Sequence, residues 1–376
     1  MEKVRIIAVY LPQFYPVPEN DLWWGKGFTE WMNVVKTRPV FRGHYQPKLP
    51  SELGFYDLRV PEVRQQQADL ARGAGIEGFC YWHYWFGSGK RLLERPFEEV
   101  VESGSPDFPF CLAWANHSWS NKTWTAARNL NSAPITLMEQ TYPGEADYQE
   151  HFYAMLPAFR DDRYIRVDGK PVFFIYDPYF EQVKDFIRVW RKLAADNGLG
   201  DFHFVAMTLS RPIRARQEEL GGRINELLSR GFDAVNTIGT TKAEQECSML
   251  KSYGSIALQK FLGIHTVTCF RQEDINAHLF SQEDSREDVY PTVMPNWDRT
   301  PRCGKDCVIY TDSTPDVFER QMDRAIELVR EKFPEHRLIM IRSWNEWGEG
   351  NYLEPDIRYG RGYLDSIKNA IEGSKK

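Results

Sequence analysis

The segment Leu338-Ile339-Met340-Ile341-Arg342-Ser343-Trp344-Asn345-Glu346-Trp347-Gly348-Glu349-Gly350 runs from four apolar residues straight into two carboxylates and two tryptophans. The apolar run is too short for an independent helix and reads as a buried strand. Seven similar runs precede it, at residues 4–10, 76–82, 110–114, 172–176, 204–207, 232–236 and 292–294. Helical patterns fall between them at 61–74, 146–159, 180–197, 225–230, 243–262 and 315–333, and 363–372 closes the chain. The 61–74 stretch begins with Pro61 and stops at Gly75, a start and stop that suit a helix. Eight strands alternating with helices predict an α/β chain, a single (β/α)8 barrel with long βα loops over residues 1–376.

The loops are lopsided. About 50 residues separate the first strand from the first clear helix, a length that signals function. In a barrel all strand C-termini converge on one face, which carries the active site. That face gathers Tyr10, Trp31, His83, Tyr84, Asn116, His117, Tyr176, Asp177, Asn296, Trp297, Asn345 and Trp347 as candidate substrate contacts. Aromatic residues make up 14% of the 376, with 12 Trp. Such side chains offer an apolar face and a polar edge to the C–H face and hydroxyl rim of a sugar.

Glu346 and Glu349 are the candidate catalytic pair. Glycoside hydrolysis needs one carboxyl to protonate the departing oxygen and a second to assist at the anomeric carbon. Gly348 and Gly350 allow a sharp turn between them. Burial against Trp344 and Trp347 is expected to keep the acid protonated near neutral pH. The same spacing also fits solvated loop glutamates or a capping pair for the last helix. His83 and His117 suit hydrogen bonds to sugar hydroxyls. Asp177 and Asp298 suit either hydroxyl binding or the orientation of neighbouring Arg and His. Tyr10 is equally explained as barrel packing.

Other classes find less support. The net charge of -6 offers no basic stripe for nucleic acid, and no apolar run reaches a membrane span. The start lacks a signal-peptide pattern, so a cytoplasmic location is the expectation. GxSxG, GxGxxG, P-loop and Asp-x-Asp patterns are absent from the sequence, and so is HExxH. Cys303 and Cys307 have no matching ligand pair nearby and read as two thiols, not a zinc site. No metal or organic cofactor is expected, and the expected partner is an oligosaccharide or polysaccharide.

Five motifs in order carry a resemblance. They are Ala8-Val9-Tyr10-Leu11-Pro12-Gln13-Phe14-Tyr15, Gly27-Phe28-Thr29-Glu30-Trp31, Gly78-Phe79-Cys80-Tyr81-Trp82-His83-Tyr84, Leu112-Ala113-Trp114-Ala115-Asn116, and 344–350 followed by Leu353-Glu354-Pro355-Asp356. Together they resemble the WbsX-like family, which is related to glycoside hydrolase family 99. The resemblance implies a (β/α)8 barrel without cofactor. Family 99 relatives are retaining endo-acting α-mannosidases and α-mannanases working through a 1,2-anhydro sugar. Carried over, Glu346 is the base toward the sugar 2-hydroxyl and Glu349 the general acid/base. The WbsX label also implies an alternative, a glycosyltransferase of O-antigen or capsule synthesis. A non-catalytic carbohydrate-binding barrel is a third reading.

Overall fold

Each of the eight apolar runs forms a strand because both of its faces are covered, which frees it from polar alternation. The computed structural model describes residues 4–121, 135–207, 220–248 and 267–374. The strands are β1 (Arg5–Tyr10), β2 (Gly78–Trp85), β3 (Phe110–Trp114), β4 (Lys170–Ile175), β5 (His203–Met207), β6 (Ala234–Thr237), β7 (Val289–Val293) and β8 (Leu338–Ile341). Every neighbouring pair is parallel, and β8 pairs back onto β1 in the register Ile6↔Ile339 and Ala8↔Ile341. The sheet is a closed parallel eight-stranded barrel.

A helix follows each strand: α1 (Pro61–Gly73), α2 (Arg95–Ser103), α3 (Glu145–Phe159), α4 (Val183–Asp196), α5 (Leu220–Ser229), α6 (Gln272–His278), α7 (Pro315–Val329) and α8 (Gly362–Gly373). Gly75 takes φ +88 just past α1, a left-handed stop that a side chain would resist. α2 and α6 escaped the sequence reading. The expected 243–262 helix is helical to residue 248, and the rest of it lies outside the described residues. The long loop after β1 is not structureless: it carries the short helices Pro18–Trp24 and Trp31–Lys36. Among the described residues no helix is long and apolar enough to cross a membrane.

Barrel closure leaves little room at the strand starts. A Cβ on Gly78 would lie 2.3 Å from the Pro109 carbonyl oxygen and 2.9 Å from Ile165 Cδ1. Backbone on one side and a packed side chain on the other cannot both retreat. Gly78→Ala is therefore expected to lower stability by about 2–3 kcal/mol, measured as a shift in the denaturant midpoint at constant m. An unchanged midpoint would contradict this account of the closure.

Candidate active site

The C-terminal end of β8 folds back on itself. Asn345–Glu346 pairs antiparallel with Asn351–Tyr352, and Trp347–Glu349 makes one 3-10 turn between them. Gly350 closes the turn at φ +56, its N–H donating to the Trp347 carbonyl at 2.9 Å. The expectation that both glycines serve the turn needs correcting. Gly348 has no left-handed φ. It is small because Glu30 is there: a Cβ would come within 1.6 Å of Glu30 Oε1 and 2.9 Å of Arg302 Nε.

Glu346 and Glu349 are both buried and both line a pocket of about 150 Å³ with Trp82, Tyr84, His117, Trp119 and Tyr176. Trp82 Nε1 donates to Glu346 Oε1 at 2.8 Å. Three guanidiniums gather at Glu349. Arg302 Nη1 donates to Oε1 at 2.7 Å, Arg342 Nη2 donates to Oε2 at 3.3 Å, and Arg299 Nε lies 3.3 Å from Oε1. Arg302 also grips Glu30, through Nε at 3.1 Å and Nη2 at 3.2 Å.

These contacts separate the two carboxyls electrostatically. Burial, then the charge of Glu349, pushes Glu346 up to about 7 against the pull of Arg342 and Arg302. Burial acts on Glu349 as well, but Arg299, Arg302 and Arg342 hold it far below the usual carboxylate range. The two carboxyls are in hydrogen-bonding contact. Like charges that close do not both ionise, so the pair keeps one proton near neutral pH. Of the two, Glu346 is the carboxyl whose surroundings favour keeping the proton. Burial raises Glu346, whereas the Trp82 hydrogen bond lowers it. Trp347 turns away, donating Nε1 to Glu354 Oε2 at 2.6 Å and stacking on Tyr352 at 3.7 Å. Trp344 is fully buried and packs on Phe79.

Strand parity sorts the remaining candidates, since successive side chains leave a strand on opposite faces. Along β2, Trp82 and Tyr84 point into the pocket. His83 points outward to α3, where its Nε2 lies 2.8 Å from Nε2 of His151, and burial lowers it to about 3. His83 is therefore a core histidine held neutral, not a sugar contact. Tyr10 also faces a helix, its hydroxyl donating to Gln67 of α1 at 2.7 Å. Of the residues past the strands, His117 and Tyr176 line the pocket, and Trp297 lines the adjoining cavity of about 540 Å³.

The other candidates act as staples. Asn345 takes the Leu11 N–H on Oδ1 at 2.7 Å and donates Nδ2 to the Leu11 carbonyl at 3.0 Å, tying β8 to β1. Asn116 does the same for β4, accepting from Asp177 N–H at 2.7 Å and donating to its carbonyl at 2.8 Å. Asp177 accepts from the Tyr179 N–H at 3.0 Å. Asn296 donates to the Tyr352 carbonyl at 3.3 Å, and Trp31 donates to the Tyr56 carbonyl at 2.9 Å. Asp298 is held at about 2, against burial, by His44 at 2.8 Å and by Lys48 and Thr300. It orients neighbours instead of facing the pocket.

Trp82, Glu30, Arg299, Arg302 and Arg342 went unread as site residues. Glu30 and Trp82 sat inside quoted motifs, and Arg342 directly follows β8, but nothing in a sequence marks an arginine as buried. Glu354 was likewise quoted without a role. It accepts from Trp347, from the Tyr56 hydroxyl at 2.9 Å and from Gln67 Nε2 at 2.6 Å, bracing the turn from behind. No disulfide joins Cys303 and Cys307, whose thiols hydrogen-bond to each other. Among the described residues no group of three or more His, Cys, Asp or Glu is placed to hold a metal ion. Because Gly348 leaves the space that Glu30 occupies, Gly348→Ala is expected to break the buried Glu30–Arg302 pair at a cost of about 3–5 kcal/mol, read from the unfolding midpoint. A variant as stable as wild type would show that the pair does not depend on that space.

Comparison with known proteins places this geometry. The family profile described as Glycosyltransferase WbsX matches residues 6–367. Two relatives from Xanthomonas campestris pv. campestris, strains B100 and ATCC 33913, are both described as uncharacterized protein WxcX. Each is 35% identical, over 381 and 379 residues, covering 97% of this chain and 49% of the relative. This chain thus spans about half the length of the curated relatives it matches. A glycoside hydrolase-like protein superposes with a TM-score of 0.58 at 15% identity, over 99% of this chain and 94% of that one. The GH99 endo-α-mannosidase from Bacteroides thetaiotaomicron in complex with Bis-Tris propane gives 0.58 at 16% identity, over 100% and 98%. At such identities these structures establish the shared barrel. The profile match and the WxcX likeness go further: the chain belongs to the WbsX family.

Proposed function

We propose that this protein acts on a glycan, breaking an α-linked glycosidic bond with retention through Glu346, Glu349 and a 1,2-anhydro sugar. One observation carries the reading: two buried carboxyls in contact on the wall of an aromatic pocket, holding one proton between them. Retaining enzymes with a carboxylate nucleophile keep their pair about 5–5.5 Å apart, and inverting enzymes about 6.5–9.5 Å, to admit water. A pair side by side on one pocket wall is also compatible with participation by the substrate itself. It suits two oxygens on adjacent sugar carbons, a 2-hydroxyl that gives up its proton and a glycosidic oxygen that receives one.

In that scheme the base takes the 2-hydroxyl proton as the 2-oxygen attacks C1. The glycosidic bond breaks and the leaving sugar departs with the acid's proton. The acid, now a carboxylate, takes a proton from water; the hydroxide opens the anhydro ring at C1, and the 2-oxygen recovers its proton from the base. The family resemblance gives the base to Glu346 and the acid to Glu349. The surroundings favour the proton on Glu346, so substrate binding has to shift it to Glu349 before those roles operate. Tyr84, Tyr176 and Trp297 offer rings to the sugar. His117 Nδ1, buried without a hydrogen-bond partner, offers a contact for a hydroxyl. Transfer to an acceptor hydroxyl in place of water uses the same two carboxyls, and the description of the matched family favours it. Product analysis with and without an acceptor sugar separates the two outcomes.

A leaving group that needs no protonation isolates the acid. Glu349→Gln is expected to slow cleavage of an unactivated α-glycoside by about 10²–10⁴, and to recover to within about tenfold on a dinitrophenyl glycoside. Glu346→Gln should stay slow on both. Rescue of Glu346→Gln instead would assign the acid to Glu346 and overturn the inherited roles.

The pair also sets a pH limit. Glu346 is raised to about 7, so the proton is present below that value and lost above it. The kcat/KM profile is expected to be full below about pH 7 and to fall about tenfold per unit above it. A profile flat well into the alkaline range would mean that this proton plays no part in the rate.

A further inference from the structure

The wall around Glu349 is cationic to a degree that a neutral sugar does not require. Arg302 is shared between Glu30 and Glu349. Among the described residues the ion pairs of Arg299 and Arg342 are both with Glu349, and Glu346 is neutral when it holds the proton. Among the described residues, three guanidiniums thus face two ionised carboxylates. The largest charge effects on Arg342 are those of Glu349, Glu346, Tyr176 and Arg302. Glu244 and Asp306, the other acids lining the larger cavity, are not among them. Glu244 already accepts the Tyr310 hydroxyl at 2.7 Å.

The donors of these two arginines are also under-used. Arg342 Nε is buried without a hydrogen-bond acceptor among the described residues, and Arg299 Nε is ion-paired to Glu349 Oε1 at 3.3 Å without hydrogen-bond geometry. A guanidinium carries five N–H donors, and orphaned buried donors are costly. Both guanidiniums lie over the Trp297 ring, 5.8 Å from its centroid for Arg299 and 5.5 Å for Arg342. Both side chains line the catalytic pocket and the cavity of about 540 Å³ beside it. Planar guanidiniums match the flat oxygen pairs of carboxylate and phosphate.

We infer that Arg299 and Arg342 form an anion subsite next to Glu349, and that the substrate is an acidic glycan bearing a carboxylate or phosphate on or beside the reacting sugar. This rests on the glycan reading of the site above. It has a consequence for the chemistry. An anion that engages Arg299 and Arg342 draws two cations from Glu349, whose hold on a proton then strengthens. The proton shared by the pair moves from Glu346 to Glu349, which leaves Glu346 as the base and Glu349 as the acid.

Calorimetry with two matched pairs of probes tests the subsite: trigalacturonate against its carboxyl-reduced form, and mannose 6-phosphate against mannose. The charged member of one pair is expected to bind at least about tenfold more tightly, with the advantage shrinking as salt rises. A carboxylate preference identifies a uronate, and a phosphate preference a phosphorylated sugar. Arg342→Gln is expected to abolish the advantage. Arg299→Gln, at a more exposed position, should reduce it and serves if the first variant does not fold. Equal binding of charged and neutral members in both pairs overturns the inference, as does a full preference in a folded Arg342→Gln or Arg299→Gln protein. Glu346→Gln separates this from the catalytic reading, since it should lose turnover and keep the charge preference. A charge preference without any glycan cleavage keeps the subsite and removes the hydrolase. Cleavage of neutral glycans with no charge preference does the reverse.

Discussion

The Arg302 guanidinium lies between two buried carboxylates, Glu30 from the loop after β1 and Glu349 from the turn after β8. A buried charge is tolerable only when it is paired and hydrogen-bonded on every side. Arg302 therefore fixes three segments at once: the β1 loop, the β7 loop that carries it, and the β8 turn. Gly348 is the geometric condition for this arrangement, since any side chain there would occupy the place of the Glu30 carboxylate. Both candidate catalytic groups take their position from that lock.

The lock also determines the charge state of the pocket. Two adjacent buried carboxyls compete for one proton, and the guanidiniums decide which of them loses. Glu349 receives three cations directly, while Glu346 receives an indole N–H and lies 4.0 Å from Arg302. The asymmetry belongs to the arginines and not to the carboxyls, so whatever rearranges the arginines redistributes the proton. A structural carboxyl next door behaves differently for the same reason. Glu354 is also pushed up to about 7 by burial, but it meets only indole, phenol and amide donors, and its work is to brace Trp347, Tyr56 and Gln67.

Much of the frame was legible in the chain. The strands at 110–114 and 338–341 fall where their apolar runs do, and Pro61 and Gly75 bracket α1 as their backbone preferences require. The Glu346/Glu349 pair stood out because two carboxylates just past a barrel strand, among tryptophans, suit glycoside hydrolysis. The side-chain roles were harder. β2 is buried along its whole length, so its hydropathy cannot say which alternate residues face the pocket. His83 and Trp82 are neighbours with opposite fates. Tyr10, Asn345 and Asn116 look like ligand contacts because polar groups at strand ends often are, yet each is spent on a neighbouring segment.

By itself the sequence determined the alternation of strands and helices, the barrel it closes into, and the position of the carboxylate pair along the chain. These follow from local periodicity and from chain order, which act over a few residues. Only the tertiary structure decided the parity of each strand, the room at Gly348 for a side chain 318 positions earlier, and the gathering of Arg299, Arg302 and Arg342 around Glu349. Those depend on distances between segments remote in sequence, and electrostatic energy depends on distance and burial, neither of which a string of residues contains.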